Sequence, residues 1–183
     1  RKVTEESGTA LIFDEVVTGF RVEPGGAQAY YDIRADIATY GKVAGGGHPI
    51  GLIGGKARFL DALDGGQWQF GDDSIPEVGV TFFAGTFVRH PLALAATKAA
   101  LTALKDGGPD LQKSVADKTA AMVADLKLFL DDIGCPFKIE NFTSYCYPQA
   151  PTSDPHAGLL WYMLRLNGIH TWEFRPWFMN LSH

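Results

Sequence analysis

The stretch TALIFDEVV, residues 9–17, constrains the fold more than any other part of the chain. Its apolar run is continuous, not alternating, and it has the length of a strand. That pattern predicts a strand covered on both faces in a parallel sheet. The run ends on an acid, Asp14. In open α/β sheets ligands bind just beyond the carboxyl ends of the strands, so Asp14 stands where chemistry is expected. Two more strand-like stretches follow, ADIATYGK at 35–42 and PIGLIGG at 49–55, with glycines bracketing the second. Lys42 falls on the bend between them, just ahead of Gly45, Gly46 and Gly47. KARFLDAL at 56–63 reads as a short helix, and the polar, glycine-rich stretch at 64–79 as a loop without regular structure.

The second half is richer in helix. Alanines and leucines over 90–108 give strong helix propensity, with Pro91 in the first turn and Gly107 and Gly108 as the stop. Over 109–134, Leu111, Val115, Met122, Leu126, Phe129 and Ile133 recur at three- and four-residue steps and predict one buried stripe, ended by Gly134. Residues 135–148 alternate as one or two strands, and Asp154 with Pro155 is expected to start a further helix as N-cap and first helical residue. Trp172, Trp177 and Phe178, in the aromatic closing segment, are expected to be core. Strands alternating with helices, then a second such set after KDGGPD, predict an α/β fold divided at 1–108 and 109–183.

Composition excludes several classes of function. A hydrophobic content of 46% fills a core and argues against disorder. A net charge of −5 leaves no broad basic surface for nucleic acid. The cysteines, Cys135 and Cys146, form no C-x-x-C pair and have no ligand spacing around them, so neither a disulfide framework nor a metal site is expected. A reducing cytoplasm fits this usage. No apolar run reaches the roughly 18–20 residues that span a bilayer, so no membrane association is expected. The first residue is not Met, which suggests a piece of something longer.

The glycine clusters do not make a nucleotide site. GLIGGKA lacks the four-residue gap of a P-loop and has Ala57 where Ser or Thr is required, and GGGHPIG does not give G-x-G-x-x-G after a strand. Asp14 and Lys42 suit a different cofactor, pyridoxal phosphate. A lysine amine forms a Schiff base with the cofactor aldehyde, while a carboxylate keeps the pyridine nitrogen protonated so that the ring accepts electrons. An amide at 14 would not hold that proton, and an arginine at 42 would not form the imine.

ALIFDEVVTGFR, ADIATYGKVAGGGHPIGLIGG, FAGTFVRHPLALAA and LLWYMLRLNGIHTWE together resemble the class III pyridoxal-phosphate aminotransferases, in the branch that holds glutamate-1-semialdehyde aminomutase. The chain is most similar there to the aminotransferase domain embedded in hybrid polyketide/nonribosomal peptide synthetases. The 28 residues between Asp14 and Lys42 (42 − 14) agree with the family pattern. The resemblance implies the C-terminal half of a fold-type I large domain at 1–108, followed by part of a small α/β domain at 109–183. It makes Lys42 the catalytic lysine and proton shuttle, Asp14 the partner of the pyridine nitrogen, and Val16 a packing residue against the ring. Glu15, facing the other way, is expected to be structural. Gly85 and Thr86 match the segment that this family lends to the cofactor phosphate of the neighbouring subunit, which implies a homodimer. His90 stands where the family commonly has asparagine, and Glu173 matches a glutamate near the active-site mouth of the aminomutase branch. The implied reaction carries an amino group from an amino acid donor to a carbonyl acceptor, here a β-ketoacyl chain on an acyl carrier protein. The rival readings are an aminomutase acting within one substrate, and a non-catalytic dimerisation or scaffold piece. The family's whole domain is more than twice as long, so the chain reads as an internal fragment.

Overall fold

In a computed structural model the described residues are 1–151 and 153–183. They form two compact units, Arg1–Gly108 and Pro109–His183. No helix among them is long and apolar enough to cross a membrane.

The first unit is built on a mixed sheet of strands β1 (Ile12–Asp14), β2 (Ile37–Tyr40) and β3 (Leu52–Gly55), in that spatial order. β1 runs parallel to β2 with Ile12 opposite Ile37 and Asp14 opposite Thr39, and β3 is antiparallel to β2 with Leu52 opposite Tyr40. The expected cover on both faces of β1 is not found: Ile12 is 58% exposed. Among the described residues β1 is the edge of this sheet, with no strand on its outer side. Short helices α1 (Lys2–Glu6) and α2 (Gly26–Tyr30) flank β1, and α3 (Ala57–Asp64) follows β3. Residues 65–90 contain no helix or strand. The irregular stretch therefore runs to the start of α4 (Pro91–Asp106), where Pro91 occupies the first turn.

Two devices fix this unit. At the amino end of β2, the buried Asp36 accepts hydrogen bonds from Arg1 Nη1 at 2.6 Å and Leu11 N at 2.9 Å, and pairs with Lys56 Nζ at 2.6 Å and Arg58 Nη2 at 3.2 Å. Together these ties join α1, the start of β1 and the start of α3. The hydrogen bond from Arg1, then those from Leu11 and Lys56, hold this carboxyl well below the usual carboxylate range. On the other side, α4 packs against a 3-10 turn, Lys42–Gly45, whose Ala44 is fully buried. Gly46, just after that turn, has φ +57, and a methyl there would lie 3.0 Å from the Ala96 carbonyl oxygen and 3.1 Å from Ala100 Cβ. A larger residue would force helix and turn apart.

In the second unit, α5 (Leu111–Asp132) covers an antiparallel sheet of β4 (Lys138–Phe142), β5 (Tyr145–Gln149) and β6 (Trp177–Phe178). Its core is Val123, Ile139 and Cys146, with Met122, Leu126, Leu130 and Trp177 packed around them. Burial pushes the Cys146 thiol pKa up. The predicted stripe on α5 is corrected at its carboxyl end, where Phe129 and Ile133 are 57% and 55% exposed. The buried row is Val115, Thr119 and Val123, continued by the half-buried Leu126 and Leu130. Thr119 is tolerated inside because its Oγ1 donates to the Val115 carbonyl at 2.7 Å. Helix α6 (Leu159–Leu166) begins after Gly158, not at Asp154. Asp154 Oδ1 instead accepts from His156 N at 2.8 Å, closing a separate turn first. Trp172 is 75% exposed and Phe178 41%, so neither is core, whereas Trp161 on α6 is fully buried against Phe174 and Trp177. Glu173 pairs with Arg165 at 2.9 Å.

Candidate active site

Asp14 closes β1 level with Thr39 on β2, and Lys42 lies three residues beyond Thr39, after β2 has ended. Both residues thus stand at the carboxyl ends of neighbouring parallel strands. Three Cα steps of ~3.8 Å added to a strand spacing of ~4.8 Å bound their Cα separation at about 16 Å. A lysine, a six-membered ring and an aspartate can bridge that span.

Asp14 is exposed, and its Oδ1 accepts from Val16 N at 3.0 Å and from Thr39 Oγ1 at 3.5 Å. Its other oxygen has no partner among the described residues. Lys42 is also exposed, and among the described residues its side chain makes no hydrogen bond or ion pair. Its φ of +41 places a non-glycine residue in the left-handed region. Strain of this kind is tolerated only where the surroundings enforce it, and here the packing of α4 on the turn does so.

Glu15 turns away from these two. Only 1% exposed, it accepts from Ala27 N at 2.9 Å, from Gln28 N at 2.9 Å and from Thr18 Oγ1. It therefore anchors the first turn of α2 and fixes the chain between Asp14 and Val16. Gly26 is required beside it, since a methyl there would meet Glu15 Oε2 at 2.6 Å. Val16 lies past the end of β1, and its Cγ1 is 3.5 Å from where a Gly41 side chain would stand, next to Lys42.

Val16, Gly85 and Thr86 line one concavity of about 890 Å³, together with Thr39, Tyr40 and residues of β3, α3 and the start of α4. Gly85 and Thr86 are exposed, in a turn closed by Val88 N donating to the Gly85 carbonyl at 3.1 Å. Asp14 and Lys42 are not part of that wall; Asp14 pairs with Thr39, which is, and Lys42 lies two residues past Tyr40, which also is. Sequence reasoning missed Thr39, whose contact with Asp14 follows from the parallel register, and Arg89, a cation placed just before the helix-starting Pro91. No group of three or more His, Cys, Asp or Glu residues suited to a metal ion occurs among the described residues.

A family profile described as "Aminotransferase class-III" matches residues 1–134. Glutamate-1-semialdehyde 2,1-aminomutase 1 of Lachnoclostridium phytofermentans is 31% identical over 197 aligned residues, covering 100% of this chain and 43% of that protein. The aminomutase of Methanothrix thermoacetophila is 43% identical over 138 residues, covering 70% of this chain and 28% of its own length. Among solved structures, a β-phenylalanine aminotransferase from Variovorax paradoxus superposes with a TM-score of 0.81 at 25% identity, covering 100% of this chain and 42% of that one. The chain thus spans less than half the length of each of these relatives.

Proposed function

Because the chain belongs to the class-III aminotransferase family, we propose that it is the catalytic-lysine portion of a pyridoxal-phosphate-dependent aminotransferase. The enzyme would move an amino group from an amino acid donor to a carbonyl acceptor. Residues 1–108 are then the second half of the cofactor-binding large domain and 109–183 the small domain. The observation that carries this reading is the placement of Asp14 and Lys42 at adjacent parallel strand ends, with Val16 beside Gly41.

The residues fit the cofactor. Asp14 has one oxygen engaged and one free, and Lys42 has an uncommitted amine. Pyridoxal phosphate, when bound, supplies an aldehyde and an electron-accepting ring. The free oxygen of Asp14 would hold the proton on the pyridine nitrogen. Lys42 Nζ would hold the cofactor by taking the place of the aldehyde oxygen, which leaves as water, and, when released, would carry the proton between donor and acceptor. Val16 would pack against the ring, and Gly85 with Thr86 would hold the phosphate of a second subunit, making the enzyme a homodimer. The mostly apolar concavity beside these residues supports an acyl acceptor, which we assign to a carrier-bound β-ketoacyl chain of polyketide or nonribosomal peptide assembly.

The relatives' names support a second reading, an aminomutase that moves nitrogen within one substrate. Product analysis of the whole enzyme separates them, since a transaminase releases a keto acid from the donor and a mutase does not. Borohydride reduction in the presence of pyridoxal phosphate tests the site itself. The trapped adduct is expected on the peptide containing Lys42 and is lost in Lys42→Ala; an adduct on another lysine, or none in the whole enzyme, refutes the assignment.

A further inference from the structure

The backbone ties Asp14 to the strand that leads into Lys42 only as far as the sheet extends. Among the described residues the bonds between β1 and β2 end with the one that Glu15 N donates to the Thr39 carbonyl at 2.9 Å. β2 stops at Tyr40, and Gly41 and Lys42 run on with no partner on β1. α4 supports the lysine bend at Gly46. A tie from the bend back toward Asp14 has to come from side chains.

Gln28, on α2, supplies one. Its backbone N donates to Glu15 Oε1 at 2.9 Å, next in sequence to Asp14. Its side chain reaches the other way. Oε1 accepts from Ala35 N at 2.8 Å, just ahead of β2, and Nε2 donates to the Tyr40 hydroxyl at 3.2 Å, where β2 ends. One residue thus bonds beside Asp14 and again two residues before Lys42. The Tyr40 ring is gripped as well as its hydroxyl. A methyl at Gly19 would lie 2.6 Å from Tyr40 Cδ1, so the loop leaving Asp14 closes directly on the ring. Phe20 packs on it with centroids 5.4 Å apart. Gly41 leaves no slack between Tyr40 and Lys42, since a methyl there would stand 3.1 Å from the Ile50 carbonyl oxygen.

We propose that Gln28 and Tyr40 are positioning residues that set the distance between Asp14 and Lys42. The inference rests on the reading above, in which those two hold opposite ends of pyridoxal phosphate. A rigid ring held at both ends binds well only when the two holding groups already stand at its length in the free protein; otherwise binding must first draw them into place. Gln28 is not part of the wall of the concavity, so its effect on the site passes through Glu15 and Tyr40. Tyr40 does line that wall. A direct contact from its hydroxyl to a ligand is therefore the competing account, and it gives Gln28 no part.

The experiment is titration of the cofactor-free whole enzyme with pyridoxal phosphate, followed by absorbance, for the parent, Tyr40→Phe, Gln28→Met and the double variant. Tyr40→Phe removes one oxygen and leaves the ring packed; Gln28→Met keeps the length of the side chain and removes both of its bonds. Each single variant is expected to bind pyridoxal phosphate about tenfold more weakly than the parent, the size of one lost hydrogen bond. The double variant is expected to bind no more weakly than Gln28→Met alone, because the tie is already cut. Urea midpoints of the cofactor-free forms are read beside the affinities, since a tie that only stabilises the fold lowers the midpoint and leaves the affinity unmoved. The inference is overturned if either single variant binds as tightly as the parent, if the two losses add in the double variant, or if only the midpoints move. Tyr40→Phe, the milder change, keeps it open to refutation should the methionine variant fold poorly. Borohydride trapping separates this from the reading beneath it: with the parent's adduct on Lys42, each of those results counts against the tie alone, and without that adduct the reading and the inference fall together.

Discussion

Replacing Lys42 separates the cost of its backbone from the use of its amine. The residue sits at φ +41 with an exposed side chain that makes no hydrogen bond, so truncation removes little packing. Lys42→Ala keeps a Cβ in the same left-handed backbone, and its stability should stay within about 0.5 kcal/mol of the parent. Lys42→Gly removes the clash between Cβ and carbonyl that costs an L-residue about 1–2 kcal/mol in this region. Against that gain stands the greater freedom of glycine in the unfolded chain, worth about 0.4–1 kcal/mol. The net expectation is that the glycine variant is about 0.5–1 kcal/mol more stable than the alanine variant, a rise of roughly 1–4 °C in Tm for a chain of this size. Scanning calorimetry of the cofactor-free variants reads this directly. Neither variant should form the borohydride-trapped link, so a gain in stability would accompany complete loss of the amine's chemistry. Equal Tm values, or a less stable glycine variant, would show that the turn does not hold this residue under strain.

Other outcomes follow from contacts elsewhere. The Asp36 carboxyl is held below the ordinary range chiefly by Arg1, so its stabilising effect is complete above the unfolded value of about 4 and is lost as pH falls from there through its lower folded value. Urea midpoints should therefore show Asp36→Asn less stable than the parent at pH 7, with the gap narrowing below about pH 4; a gap independent of pH would rule out an ionic role. Glu15→Ala strips the acceptor from the amides of Ala27 and Gln28 and should cost about 1–3 kcal/mol, read by urea denaturation, whereas Glu15→Gln, which keeps an acceptor, should cost less. In the second unit Val123→Ala should cost about 1–3 kcal/mol and the exposed Phe129→Ala within about 0.5 kcal/mol; the reverse order in chemical denaturation would restore the stripe expected from sequence.

What the sequence disclosed depended on how local the causes were. The three strands of the first unit announce themselves as short apolar runs bounded by glycine, and Asp14 and Lys42 follow from where those runs stop. Proline and glycine mark α4 plainly, since each acts through its own backbone. The exposure of Ile12 was not legible, because an apolar run reports what a strand could bury and not whether a neighbour is there. On α5, Phe129 and Ile133 fit a three-and-four spacing as well as Leu126 and Leu130 do, and only the position of β4 and β5 decides which of them faces inward. The Asp36 cluster draws on Arg1, Lys56 and Arg58, residues far apart in the chain with no spacing to betray them. Asp154 looked like a helix cap because an Asx turn and an N-cap use the same side-chain acceptor.

The seating of α4 on Gly46 has a mechanical consequence. A 16-residue helix is about 24 Å long, and this one bears on the lysine bend near Ala96 and Ala100, close to its middle. It is a beam resting on a fulcrum, with the Arg89 end of the cavity at one tip. A side chain larger than alanine at position 100 would lift the beam, and the bend carrying Lys42 would lose its support while every residue of the site stayed chemically intact. Natural or engineered variation at Ala100 is thus a way to retune the lysine from a distance.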